Sequence, residues 1–372
     1  MTSHKEFLYR KIYNDLIRDI SKGIYSPEKR LPSEKELAKI YSVSRITSKK
    51  ALELLEEKGY ITRMPGRGSF VIHRSSPSDN QEVANSFQKG KTQLIGMIIE
   101  DFAENFGTMI IAGAEQGCRE RGYSLVLKRS NGSQKQEGKA IEELLKLGVE
   151  GILIIPVHGD NYSPQILRLT VEAFPFVLID RELKGIPASY VGTDNITSAR
   201  ELMNLLFELG HRHICFVSPS EANTSTIQDR KEGFLKSFAE HKVLVDESSF
   251  LYNLSSTLPG RPKNEEIQKD IETVKKYYRG HPKTTAFFAV EYNIALIILK
   301  AICEMDKKVP DNCAIVCFDS PPNFVGRYIF THIQQDETEI GLKSVDLLFK
   351  RMKGEKIEKC YLPGKLIRGK ST

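Results

Sequence analysis

From Gln93 onward, short uninterrupted apolar runs alternate with helical stretches, and this alternation limits the possible folds more than any other feature. Gln93-Leu94-Ile95-Gly96-Met97-Ile98-Ile99, Gly151-Ile152-Leu153-Ile154-Ile155-Pro156, Phe176-Val177-Leu178-Ile179-Asp180 and Cys313-Ala314-Ile315-Val316-Cys317-Phe318 show no apolar/polar alternation. Such runs suit strands covered on both faces, as in parallel sheets. Tyr123–Leu127, Ile214–Val217 and Thr285–Ala289 read as further strands. Helices fit between them, one through Met109, Ile110 and Cys118, another through Ile141, Leu144, Leu145 and Leu147, ended by Gly148. Repetition over about 270 residues predicts doubly wound parallel sheets in two lobes. Ligands in such folds lie beyond the carboxyl ends of strands. Asp101, Asp180, Arg181, Ser218, Glu291 and Asp319 stand there and are the first candidates.

Composition narrows the class. With 372 residues, 40% hydrophobic and 27% charged, the chain is long and apolar enough for two to three domains with real cores. No apolar run approaches the ~20 residues of a membrane span, and the first ten residues lack the apolar stretch of a signal peptide. A cytoplasmic location is the expectation. The six cysteines have no C-x2-C pair and are expected to be free and reduced. Cys313 and Cys317 fall within a strand, without further metal ligands.

Charge separates the ends of the chain. Residues 1–75 hold 16 Lys/Arg against 9 Asp/Glu, a net of +7; the remainder holds 38 against 39, out of totals of 54 and 48. Such asymmetry points to a nucleic-acid-binding head on a neutral body. Within the head, Leu8, Ile12, Leu16 and Ile20 give one helix an apolar face, with Gly23 to end it. Ser33 and Glu36 form a capping box for a second, short helix ending near Tyr41. Ser44 is the expected N-cap of a third, whose inner stripe is Ser48, Ala51, Leu52 and Leu55 and whose outer side carries Arg45, Ile46, Lys49 and Lys50, with Thr47 on the flank. Beyond Gly59, Tyr60–Arg63 and Ser69–Ile72 read as strands around Pro65-Gly66-Arg67-Gly68.

Two helices at a short turn, the second exposing Arg, Thr and Lys at its start, make a helix-turn-helix, and the hairpin makes it winged. Arg45 suits guanine O6 and N7, and Ile46 suits a thymine methyl. Ser44, Thr47, Lys49 and Lys50 suit phosphates or base edges. Leu31-Pro32-Ser33-Glu34-Lys35-Glu36-Leu37-Ala38, Val43-Ser44-Arg45-Ile46-Thr47, Gly59-Tyr60-Ile61 and Gly66-Arg67-Gly68-Ser69-Phe70-Val71, in that order, resemble the winged helix-turn-helix of the GntR family. The resemblance implies DNA contacts at Lys35, Ser44, Arg45, Thr47, Lys49, Gly66 and Arg67. Ile46 departs from the hydroxyl residue common there, and Pro65 from a polar one, so the family's operator sequences do not transfer.

The expected organisation is an α+β winged helix-turn-helix over residues 1–74, a polar linker over 75–91 and an α/β body over 92–372. Ile95-Gly96-Met97-Ile98-Ile99-Glu100-Asp101, Val177-Leu178-Ile179-Asp180-Arg181-Glu182, Val191-Gly192-Thr193-Asp194-Asn195, Leu209-Gly210-His211-Arg212-His213-Ile214, Arg230-Lys231-Glu232-Gly233-Phe234 and Cys317-Phe318-Asp319 resemble the LacI-type effector domain, whose two-lobed parallel-sheet fold is similar to periplasmic sugar-binding proteins. A GntR-type head on such a body is the arrangement of AraR-like sugar-responsive repressors. The resemblance implies effector contacts at Arg230 and Asp319, then Asp101, Phe106, Arg181 and Glu291. Carboxylates and guanidinium groups can hold sugar hydroxyls, and an aromatic face can pack on a ring. Two structural alternatives stay open: Asp180-Arg181 as an interlobe salt bridge, and Asp194-Asn195 as a helix cap. Glu291-Tyr292 departs from the family's usual Asn-Asp, and 254–284 is longer and more charged than expected.

No nucleophile elbow, zinc-protease motif or P-loop occurs, and Gly66-Arg67-Gly68 opens no helix. His211 and His213 lack a third ligand nearby in sequence. No enzyme activity, cofactor or metal is expected. The resemblance implies a homodimer on a pseudo-palindromic operator, released by a small carbohydrate. An activator, a co-repressed regulator, or a sugar-binding protein whose head makes only protein contacts are the alternatives.

Overall fold

The computed structural model describes residues 3–26, 29–64, 67–72, 93–102, 106–159, 163–219, 224–258, 263–321 and 325–372. The linker expected over 75–91, and Gly66, lie outside them. The chain divides into two compact units, Met1–Lys91 and Thr92–Thr372.

In the first unit, α1 (Ser3–Ser21), α2 (Glu34–Ile40) and α3 (Arg45–Glu57) precede an antiparallel hairpin of β1 (Ile61–Met64) and β2 (Gly68–Val71). Ile12, Leu16, Leu37, Ala51, Leu52, Leu55 and Ile61 form its core. The capping box closes on both sides, with Glu36 N–H donating to Ser33 Oγ and Ser33 N–H donating to a Glu36 oxygen at 2.7 Å. Ser48, on the inner stripe, is fully buried and donates to the Glu34 carbonyl at 2.8 Å, fixing α3 to the start of α2. Arg63 on β1 reaches Glu34 at 2.5 Å, so the hairpin is tied to the same point.

The second unit has two six-stranded sheets. The first has the order β13-β7-β6-β5-β3-β4, with β3 Leu94–Ile99, β4 Ser124–Arg129, β5 Gly151–Ile154, β6 Phe176–Ile179, β7 Ser189–Thr193 and β13 Lys359–Leu362, all parallel. The second has the order β14-β12-β11-β10-β8-β9, with β8 Ile214–Pro219, β9 Phe250–Leu254, β10 Ala286–Ala289, β11 Ala314–Phe318, β12 Thr331–Gln334 and β14 Lys365–Ile367, parallel except for β14. Each sheet is buried between helices, which explains the unbroken apolar runs. The chain passes between the lobes after Thr193, after Gln335 and between Leu362 and Lys365.

Strands β7, β9, β12, β13 and β14 were not read from the sequence. Ser189-Tyr190-Val191-Gly192-Thr193 mixes small and polar residues, and its burial comes from the helices that cover it. The extra length before β10 forms a helix, Lys263–Gly280, which accounts for its charge. Two helices of the first lobe, α4 (Thr108–Arg119) and the later Glu337–Met352, cross at glycines. A Cβ on Gly113 would lie 2.2 Å from the Thr338 carbonyl oxygen, and one on Gly341 2.3 Å from that of Ile110. Only hydrogen fits at that crossing.

Candidate functional site

The head presents one exposed edge at the start of α3. Arg45, Ile46 and Lys49 are exposed, as are Lys35 on α2 and Arg67 beside the hairpin turn. Ile46 is 80% exposed with no packing role to account for it. Two expected contacts are partly committed elsewhere. Thr47 is only 8% exposed, and its hydroxyl is shared with that of Ser44 at 2.8 Å, both hydroxyls belonging to the N-terminal cap of α3. Lys50 places its Nζ 4.6 Å from the centre of the Tyr9 ring, turned toward α1. The sequence reading placed these side chains by helical face alone, and the cap and Tyr9 redirect them.

The body holds a cavity of about 180 Å³ between its lobes. All six effector candidates, Asp101, Phe106, Arg181, Arg230, Glu291 and Asp319, line it. Parallel strands explain this convergence, because each residue follows the carboxyl end of a strand or lies on a helix or loop that faces those ends. Asp180 and Asp319 occupy equivalent places, one residue past β6 and β11, and both have left-handed backbone, φ 64° and 66°. Non-glycine residues held this way at a cavity mark a site where the surroundings enforce the geometry.

Each guanidinium is fixed by the protein. Arg230, on a helix running Ser225–Glu240, is 6% exposed; it donates from Nε to Asn195 Oδ1 at 2.7 Å and from Nη1 to the Val290 carbonyl at 2.5 Å. Its Cζ lies 3.8 Å from the centre of the Phe318 ring. Arg181 donates to Glu100 and to the Pro156 carbonyl, each at 2.7 Å, and to His158 Nε2 at 2.8 Å. These partners all belong to the first lobe, so Asp180-Arg181 is not an interlobe salt bridge; the adjacent pair is itself 3.7 Å apart. Because Arg181 can only donate, His158 Nε2 accepts, and its Nδ1–H donates to Thr224 Oγ1 at 3.0 Å. Burial, with Arg181 adjacent, holds the His158 ring neutral.

That bond crosses the cleft. Gly159 N–H also donates to Thr224 Oγ1, Glu182 N–H to Ser225 Oγ, and Lys184 Nζ to Gln228 Oε1. On another path, Thr193 Oγ1 donates to Gln335 Oε1 at 2.5 Å, and Gln335 Nε2 donates to Asp319 Oδ1 at 2.8 Å. Asp319 is therefore positioned by a residue at the crossing between lobes. Burial pushes its carboxyl up to about 7 despite the nearby Arg230. Asp180 and Glu291 are raised for the same first reason, burial.

Asp101 sits at the rim, and its carboxylate pairs with Arg129 at 2.9 Å. The preceding Glu100, 7% exposed, is the acidic group that faces inward to Arg181. Glu100, His158, Asn195 and Gln335 were missed as site residues. Gln335 follows β12, whose short sequence carries no strand pattern of its own, and the spacing of Asn195 suggests only a cap. Asp194 does cap, accepting from Thr197 N–H at 3.0 Å, whereas Asn195 holds Arg230.

A winged helix-turn-helix and a two-lobed body with a polar interlobe cavity define a transcriptional regulator with a DNA-binding head and an effector domain. Comparison with known proteins gives the same two parts. Residues 8–71 match the family described as bacterial regulatory proteins, gntR family, and residues 203–372 match the periplasmic binding protein-like domain. The chain is 26% identical to an arabinose metabolism transcriptional repressor of Geobacillus stearothermophilus, over 97% of this chain and 96% of that protein. It is 25% identical to the protein of that name from Halalkalibacterium halodurans, over 94% and 91%. The transcription regulator CcpA of Lactococcus lactis shares the body's fold, with a TM-score of 0.65 and 19% identity over 76% of this chain and 100% of that one. Both of these relatives are named transcriptional repressors. No described helix is long and apolar enough to cross a membrane.

Proposed function

We propose that this regulator is a cytoplasmic, homodimeric repressor that binds a pseudo-palindromic operator and releases it when a small carbohydrate enters the interlobe cavity. The observation that carries this reading is the cavity itself. Its volume corresponds to on the order of ten water-sized groups, about the heavy-atom count of a monosaccharide. Its lining alternates fixed donors and acceptors, Arg181, Arg230, Asp319 and Gln335, with apolar surface from Phe106, Ile111 and Ile155. Few, rigid polar groups on an apolar wall suit a hydroxylated ring. The names of the two relatives matched along nearly the whole chain support both repression and a sugar signal.

In this mechanism Arg45 and Ile46 read base edges while Lys35, Lys49 and Arg67 hold phosphates. The sugar adds contacts to both lobes at once, through Arg181 from one side and Arg230 and Asp319 from the other, and so favours their closed arrangement. The test begins by selecting bound fragments from random duplex DNA with the full chain. Fluorescence anisotropy on the selected site is then followed against salt and against pentoses and hexoses. Steep salt dependence, and release by one sugar, are expected. Absence of sequence-selective DNA binding would leave the head as a protein-contact module, and tighter operator binding with sugar would make the ligand a co-repressor.

A further inference from the structure

The cavity keeps a surplus of negative groups once the protein's own ion pairs are set aside. Glu100 is held by Arg181 at 2.7 Å and Asp101 by Arg129 at 2.9 Å. Asp180 lies 3.7 Å from the same Arg181, so Glu291 and Asp319 face the ligand space with Arg230 as the remaining cation of the lining. Of these, Glu291 neither caps its helix nor makes an ion pair among the described residues. It occupies the N-cap position of the helix Tyr292–Cys303, and its side chain faces the cavity. Close to it lies Thr257, whose hydroxyl stands beside the Glu291 carboxylate. A carboxylate and an adjacent hydroxyl oxygen supply the acceptors that an ammonium group, with its three donors, requires.

Resting on the carbohydrate reading, we propose that the effector is an amino sugar, its protonated amine held by Glu291 and Thr257 and its hydroxyls by Asp319 and Arg230. A protonated amine offsets the acidic surplus of Glu291 and Asp319 over Arg230. A phosphate or uronic acid adds to it, so the same surplus rejects anionic sugars. A neutral sugar fits the volume but brings Glu291 no positive partner at ion-pair distance.

The test uses the full chain at pH 7 and calorimetric titration with matched compounds: hexoses and pentoses bearing an amine at different ring positions, each beside its parent sugar, its N-acetyl derivative and its phosphate. At least one amine is expected to bind about tenfold or more tighter than its parent, with acetylation, which removes the charge, abolishing the gain and the phosphates not binding. In Glu291→Gln, with the unliganded melting temperature as the check of folding, the ratio of amine to parent affinity should fall toward one. Parents binding as tightly as their amines, or a phosphate binding best, would overturn the amino-sugar assignment and leave the carbohydrate reading standing. An amine preference that survives in Glu291→Gln would overturn the role of Glu291. No binding across the whole series would overturn both readings.

Discussion

Arg45 and Lys49 are neighbours on one exposed helix start, but different physics governs them. A guanidinium bonded to two atoms of one base discriminates sequence, whereas an ammonium near a phosphate releases counterions whatever the sequence. Arg45→Ala is expected to cost about 1–3 kcal/mol on the selected operator and to relax preference at one base position. Lys49→Ala should weaken all duplexes alike and reduce the slope of log affinity against log salt by about 1. Anisotropy titrations on matched and mismatched sites separate these outcomes. Asp319 gives a prediction of a different kind. Its carboxyl is raised from 3.8 to about 7 by burial, so the folded state holds a proton that the unfolded chain releases near pH 4. Its contribution is therefore fully present below the unfolded value and is lost as pH rises through about 7. Asp319→Asn, which keeps the shape without the charge, should flatten the fall in melting temperature between about pH 4 and 7 relative to the unsubstituted chain.

At the scale of elements, the packing of Thr108–Arg119 against Glu337–Met352 determines where the cavity wall stands. Gly107 and Thr108 line the cavity, and Gly107 N–H and Met109 N–H both donate to Glu337, at 2.8 and 3.1 Å. Neither Gly113 nor Gly341 can accept a methyl group without the backbones separating. Gly341→Ala is expected to destabilise the body by about 1–3 kcal/mol, read as a lower denaturant midpoint, and to weaken effector binding because the wall moves with the helix. Propensity alone predicts the opposite, since alanine favours a helix over glycine. The recognition helix behaves differently: its cap, inner stripe and exposed start all follow from local sequence, because they depend on spacing within one helix.

For the whole molecule, coupling between effector and operator must be reciprocal. If the effector lowers operator affinity by 5–150-fold, about 1–3 kcal/mol, saturating operator must lower effector affinity by the same factor. Calorimetric titration of effector into free and operator-bound protein checks this equality, and an unequal pair of factors would mean that additional species are present. Thr224→Val, which removes the hydroxyl joining His158 and Gly159 across the cleft, should shift the lobes toward opening, weaken effector binding and, by the same linkage, tighten rather than weaken operator binding in its absence.

Sequence by itself determined the features that depend on near neighbours along the chain. These are the helix-turn-helix with its Ser33 and Ser44 caps, the charge concentrated in the first 75 residues, the central apolar strands and the polar residues that follow them. Only the tertiary structure decided which of those polar residues share a task. It set Glu100 rather than Asp101 against Arg181, turned Asn195 from a presumed cap into the support of Arg230, and brought Gln335 from an unread strand onto Asp319. It also left Glu291 facing the cavity with its capping position unused. The physical reason is range: caps, turns and strand patterns are settled within a few residues, whereas burial and ion pairing in the cavity depend on groups as far apart as Thr193 and Gln335, which meet only when the chain crosses between its lobes.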